Sequence, residues 1–284
     1  PDRATAPGEE RTRANLADLE AAGVELLAAG EPLNLTWPPD PAVVADAWQR
    51  AAAASALPVK QVLPGPYSAG RAGTGVGGGG GDRSAAAWAE ALRPTIAALA
   101  DAGCPLVEID EFDALAITVI DGERRRFVDA HRRLTDGIDG IHLSLALTGG
   151  SLEAAGPATF FDLPYASYAF DLIAGPDNWR LITAAPGDRG IVCGAISAGA
   201  TADKSREVLV WAAQYAASSN GRGRERVGLA NASSLVGLSR AEALARLAIV
   251  ADAARIAGIE SLEEQAAHLD PRAIPRPAAR RRGA

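Results

Sequence analysis

At 284 residues, 48% hydrophobic and 22% charged, the chain has the composition of a globular protein and the length of one barrel-sized domain. A net charge of −7, with no basic stripe through the body, argues against nucleic acid as the partner. No apolar run approaches the ~20 residues of a membrane helix, and the start lacks an apolar signal core. Two cysteines, Cys104 and Cys193, cannot frame a disulfide scaffold, so the expectation is a cytoplasmic protein with reduced thiols.

In chain order, a helical pattern over 12–23 precedes an apolar run at 24–31, and a helix over 41–57 precedes a strand at 59–65. Residues 72–82 hold seven glycines and read as a flexible loop; they lack the Gly-Lys-Ser/Thr ending of a phosphate loop. The clearest helix is 84–103, where Trp88, Leu92, Ile96 and Leu99 recur at three- and four-residue steps and Gly103 stops the pattern. Strands follow at 106–112, 140–147, 165–173, 190–197 and 226–233, with helices at 203–219 and 239–256. The tail 270–284, rich in proline and arginine, reads as disordered. Strands alternating with helices imply βα units on a parallel sheet. The expected fold is therefore α/β, a single (β/α)8 TIM barrel over 1–269, its first strand missing or truncated at the N-terminus. A doubly wound sheet would want a glycine-rich phosphate turn after its first strand, and none stands there.

Barrel enzymes carry their chemistry at the carboxyl ends of the strands. Read there, the runs offer Glu31; Tyr67 after Pro64-Gly65-Pro66; Asp110 and Glu111; His142 and Ser144; Asp171; Ser197; and Asn231, Ser233 and Ser234. Polar groups recurring at one end of apolar strands are costly to bury without partners, and a shared pocket would explain them. A local helix cap is the plainer account of any one of them. Asp110 and Glu111 are adjacent in a strand, so they face opposite ways and one of them faces the mouth. Either could bind an amine or act as general base, and Glu111 could equally pair with an arginine. His142 reads as a proton carrier or ligand if it lies at the mouth, or as a satisfied core residue if it does not. Arg222-Gly223-Arg224 reads as an anion site or as a solvated turn.

The run Val59-Lys60-Gln61-Val62-Leu63-Pro64-Gly65-Pro66-Tyr67, then Ala102-Gly103-Cys104 leading to Val107-Glu108-Ile109-Asp110-Glu111, resembles the catalytic domain of cobalamin-independent methionine synthase. His142-Leu143-Ser144 stands where that family has His-x-Cys, and Phe170-Asp171 where it has Ile-Glu. NASSLV at 231–236 stands where it has Asn-Pro-Asp-Cys-Gly-Leu. The family's own first strand would lie ahead of Pro1.

The resemblance implies methyl transfer from a reduced folate to a thiol held by zinc. The zinc positions fall at His142, Ser144, Asp171 and Ser234, with serine in both cysteine places. A serine hydroxyl stays protonated near neutrality and is a poor zinc ligand, so no tightly bound zinc is expected. Ser197 stands where the family keeps a second histidine, whereas Asp110 matches its amine-binding aspartate. The expectation is a transferase-like enzyme acting on a small amino-acid-like or thiol metabolite, by methyl or alkyl (one-carbon) transfer or related chemistry. His142, Asp171 and Asp110 are the expected catalytic residues. Tyr67, Glu31, Glu111, Ser144, Ser197, Asn231, Ser233 and Ser234 are expected around the substrate. Reduced folate is the donor the resemblance implies; the partner is a small molecule rather than nucleic acid or membrane. A cofactor-free lyase or decarboxylase, a true methyl-folate–homocysteine methyltransferase with an unusual metal site, and a non-catalytic binding protein remain as alternatives.

Overall fold

The computed structural model describes residues 7–29, 38–71, 84–197, 202–232, 234–235 and 237–270. The elements in order are α1 (Pro7–Ala21), β1 (Leu27–Ala29), α2 (Pro41–Ala52), β2 (Val59–Pro64), α3 (Pro66–Arg71) and α4 (Ala85–Asp101). Next come β3 (Leu106–Glu111), α5 (Ala116–Val119), α6 (Glu123–Thr135), β4 (His142–Leu147), α7 (Ala158–Phe161) and β5 (Ser167–Asp171). The chain continues through α8 (Asn178–Ala184), β6 (Gly190–Ile196), α9 (Ala202–Ser218), β7 (Val227–Asn231), α10 (Arg240–Ala257) and α11 (Leu262–Leu269). The expected glycine-rich loop 72–82 and most of the tail 270–284 lie outside the described residues.

Local chemistry starts the helices. Asp40 caps α2 by accepting from Ala42 N and Val43 N, with Pro41 in the first turn. Ser84 caps α4, and Ser239 with Glu242 forms a capping box on α10. The α4 periodicity is a core stripe, with Trp88, Leu92, Ile96 and Leu99 all buried. The strongly charged α6 buries Phe127, Ala130, His131 and Leu134 on one face.

The seven strands are parallel and stand side by side in sequence order, β1 to β7. Seven parallel strands are as expected; among the described residues β1 and β7 do not pair, so the sheet is a curled half-barrel. Alternation divides each strand between two faces. In β3, Val107, Ile109 and Glu111 are buried against the helices, while Leu106, Glu108 and Asp110 are half-buried on the inner face. Register carries that inner face across the sheet: Val62, Glu108, Ser144, Ser167 and Gly190 form one row. Pro64, Asp110, Ala146, Ala169, Val192 and Gly228 form the next row towards the carboxyl ends. The outer face carries the core: Leu63, Ile109, Leu145, Leu147, Phe170 and Ile191 are fully or almost fully buried beneath Leu92, Ile96, Phe127 and Leu181. Each such side chain contributes about 1.5–3 kcal/mol of transfer free energy.

Candidate active site

The pleat decides which of the Asp110–Glu111 pair faces the lumen, and it is Asp110. Its carboxyl lies on the inner face at the carboxyl end of β3, between Pro64 and Ala146. Burial, and then the negative charges of Glu108 and Glu111, push its pKa up to about 7 against the opposing pull of Lys60. One row below, Lys60 Nζ donates to Glu108 Oε2 at 2.6 Å, a partly buried ion pair whose charges largely cancel. Asp110 is therefore a carboxyl poised to gain or lose a proton near neutrality.

Glu111 turns the other way, which corrects the expectation that it lines the substrate. It is fully buried against the helix layer. Its oxygens accept from Tyr67 N at 2.9 Å, from Ser68 N at 2.7 Å and from the Ser68 hydroxyl. A carboxylate on the first turn of α3 satisfies amides that the helix leaves open. His131 Nε2 lies 3.0 Å from Glu111 Oε1, close but not aligned for a hydrogen bond, and Nδ1 sits 2.6 Å from the Tyr165 hydroxyl. Tyr67 is corrected with it: its ring is buried outside the sheet and its hydroxyl donates to Glu123 Oε2 at 2.7 Å. Burial and the Glu123 contact push the Tyr67 pKa well up. Sequence alone does not single out His131 because its partners, Glu111 and Tyr165, come from two distant segments; the helical spacing of Phe127, Ala130, His131 and Leu134 is the available signal.

His142 and Asp171 do not meet. His142 opens β4 at its amino end, exposed, with Nε2 2.8 Å from the Ser167 hydroxyl. Partial desolvation lowers its pKa. Asp171 closes β5. Ser144 pairs with Ser167, so His142 stands level with position 165, and Asp171 lies 171 − 165 = 6 residues further along. At ~3.3 Å per residue that is roughly 20 Å. Ser144 is buried on the inner face, in the amino-end half with His142. A resemblance that aligns residues in order carries no strand register, and it placed His142 one end too high.

Asp171 Oδ1 accepts from Ile173 N at 2.9 Å and Ala174 N at 2.8 Å, which shapes the turn after β5. The turn is clamped by Asn178, fully buried, which sequence reasoning missed. Its Nδ2 donates to Asp171 O at 2.8 Å and Gly150 O at 3.0 Å, and its Oδ1 accepts from Leu152 N at 2.8 Å. A Cβ on Gly175 would stand 2.3 Å from both Asn178 Nδ2 and Gly150 O, so the clamp closes only on glycine. Asn178→Ala should cost about 2–4 kcal/mol by stranding buried main-chain groups; urea unfolding checks this, and a loss under ~0.5 kcal/mol would dismiss the clamp.

Ser197 is half-buried just after β6, Asn231 ends β7 half-buried, and Ser234 is exposed. Glu31 and Ser233 lie outside the described residues. Cys104 and Cys193 are buried away from the lumen; Cys193 Sγ lies 3.7 Å from Ala212 O of α9. The Arg222 guanidinium is fully buried and spent on carbonyls, with Nη1 donating to Ala216 O at 2.7 Å and Nε to Arg189 O at 2.9 Å. That corrects its reading as an anion site. Among the described residues no three His, Cys, Asp or Glu converge as metal ligands would, and no helix is long and apolar enough to cross a membrane.

No family model and no curated relative matches the sequence. Solved structures do match its fold. A B12-independent methionine synthase from Shewanella sp. W3-18-1, in complex with selenomethionine, superposes with a TM-score of 0.69 at 14% identity, over 87% of this chain and 86% of that one. A methyltransferase from Methanosarcina mazei gives 0.58 at 13% identity, over 88% and 87%. A dihydrodipicolinate synthase from Acinetobacter baumannii, complexed with pyruvate, gives 0.52 at 9% identity, over 92% and 73%. The fold is thus similar to that of methionine-synthase-like and other methyltransferase barrels; identities this low speak for the fold alone.

Proposed function

We propose that this chain is a methionine-synthase-like barrel enzyme acting on a small amino-acid-like or thiol metabolite, by methyl or alkyl (one-carbon) transfer, without tightly bound zinc. The observation that carries the reading is Asp110: a half-buried carboxyl with a pKa near 7, on the inner face at the end where barrels do their chemistry. Its flanking inner positions on the neighbouring strands are Pro64 and Ala146. The superposed Shewanella enzyme was solved with selenomethionine, an amino acid of the proposed class.

Among the described residues the donors do not fit zinc. His142 stands roughly 20 Å along the sheet from Asp171 by strand rise. Asp171 Oδ1 is already engaged by two amides. The inner positions at the carboxyl half of β4 and β5 are Ala146 and Ala169, and the two thiols are buried elsewhere. No step is therefore routed through a metal.

Asp110 can serve instead. Ionised, it can hold a substrate ammonium or, instead, act as a base that takes the proton of a substrate thiol; the thiolate sulfur then forms the S–CH3 bond as the donor's N–CH3 bond breaks, and the donor's nitrogen keeps that electron pair and takes up the proton, which leaves Asp110 ionised again. A thiol near 8.5 giving its proton to a carboxyl at about 7 costs about 2 kcal/mol, small beside the barrier of a methyl transfer. His142, at the far end, is assigned no proton transfer at this carboxyl.

The test is binding and turnover with homocysteine, methionine and selenomethionine, with and without methyl-folate, in the parent and in Asp110→Asn and His142→Ala. Amino-acid binding that Asp110→Asn weakens ten-fold or more, and that His142→Ala leaves alone, is the expected result. Equal binding by both variants would remove Asp110 from the site. About one zinc per purified chain, or activity abolished by a chelator, would overturn the metal-free reading. A binding protein without turnover is the second reading, favoured by the row that holds Asp110, whose other members, Pro64, Ala146, Ala169, Val192 and Gly228, carry no titratable side chain; ligand-induced stabilisation with no substrate consumed would select it.

A further inference from the structure

Below Asp110, towards the amino ends of the strands, the inner face carries a polar row that the proposed chemistry does not use. Glu108, Ser144 and Ser167 stand side by side in register on β3, β4 and β5. Two of the three are engaged: Lys60 Nζ donates to Glu108 at 2.6 Å, and His142 Nε2 lies 2.8 Å from the Ser167 hydroxyl. Ser144, between them, is 1% exposed, and among the described residues its hydroxyl has no hydrogen-bond partner. Buried hydroxyls are ordinarily paired, because a dry one forfeits its hydrogen bonds to water. All three residues line a cavity of about 440 Å3, a volume in the range of small-molecule sites, and Asp110 does not line it. The rest of its wall is mainly apolar, with Leu106 and Val192 from the sheet and Leu247 and Val250 from α10.

We propose that this half of the lumen binds an uncharged molecule with an apolar body and one hydroxyl or carbonyl end, which exchanges a hydrogen bond with Ser144. The apolar wall takes the body out of water, and the unmatched hydroxyl fixes the polar end. Charge sets the class. Among the described residues the charged side chains on the lining cancel: Lys60 is paired with Glu108, and Glu25 and Arg224 are exposed and of opposite sign. A carboxylate would meet Glu108 and an ammonium would meet Lys60. Neither would find a free counter-charge, and an unpaired charge is costly to bury. The site lies at the end of the sheet opposite to the one where barrels place their chemistry, so it is separate from the reading given to Asp110.

The test titrates 1-octanol, 2-octanone, octanoate and octylammonium into the full chain by calorimetry. The expected result is one saturable site for octanol and octanone, with a dissociation constant below ~1 mM, and binding of the two charged compounds at least about ten-fold weaker. Ser144→Ala should weaken octanol about ten-fold without lowering the melting temperature, because no hydrogen bond within the protein goes with the hydroxyl. A merely structural serine would show the reverse, a lower melting temperature at unchanged affinity. Val250→Trp, which fills the cavity from α10, should abolish binding; Leu247→Phe serves the same end if that variant does not fold. No saturable octanol binding, charged compounds bound as tightly as neutral ones, or full affinity in Ser144→Ala each overturns the proposal. Asp110→Asn should leave octanol affinity unchanged, so this site and the one proposed at Asp110 stand or fall separately.

Discussion

Glu111→Ala should destabilise the protein by about 3–5 kcal/mol, the largest single-site effect expected here. The carboxylate is fully buried and accepts from two consecutive amides of α3 and from the Ser68 hydroxyl, with His131 beside it. Truncation strands all of these donors in a dry environment, each at about 1–3 kcal/mol. Glu111→Gln keeps the shape and part of the accepting capacity, so it should cost less. The same contact explains Gly65: a Cβ there would sit 2.1 Å from the Glu111 carboxyl carbon. Gly65→Ala should therefore approach the Glu111→Ala loss, and combining the two should add little, because both break one contact. Urea unfolding of the three variants decides this. Additive losses, or a Glu111→Ala cost below about 1 kcal/mol, would show that the carboxylate is not what holds α3 to β3.

Asp110→Asn should do the opposite at alkaline pH: stabilise the fold while damaging activity. The folded pKa of about 7 lies above the ~3.9 of an unfolded aspartate, so folding favours the protonated form. The resulting stabilisation is fully present below pH ~4 and is lost as pH rises through about 7. The difference of about three units sets an upper bound of about 4 kcal/mol, which water in the lumen reduces. Asparagine mimics the neutral carboxyl at every pH. The variant should match the parent at pH 4 and exceed it at pH 8, with the difference opening mainly between pH 4 and 7. Turnover should fall by about 10²–10⁴-fold if Asp110 is the general base. A stability difference that does not change with pH would show that the carboxyl is ionised normally and would remove it as the base.

Much of this was legible from the chain alone. The stripe of α4 and the apolar runs that became β2 to β7 are local signals, carried by neighbours within a turn or along a strand. Asp110 was legible as one of two candidates, because strand alternation guarantees that adjacent carboxylates part. What alternation does not say is which of them points inward. That depends on where the helices pack, and they pack on the side of Val107 and Ile109.

Sequence by itself determined the βα rhythm, the parallel sheet and the two-carboxylate choice, because periodicity and capping act between residues a few positions apart. Tertiary structure alone decided that Glu111 is a helix anchor, that His142 and Asp171 sit at opposite ends of the sheet, that His131 is buried between Glu111 and Tyr165, and that β1 and β7 do not pair among the described residues. Each of these is a matter of register or packing between segments far apart in the chain, and a shift along a parallel ladder moves a side chain by ~3.3 Å per residue without altering the sequence pattern at all.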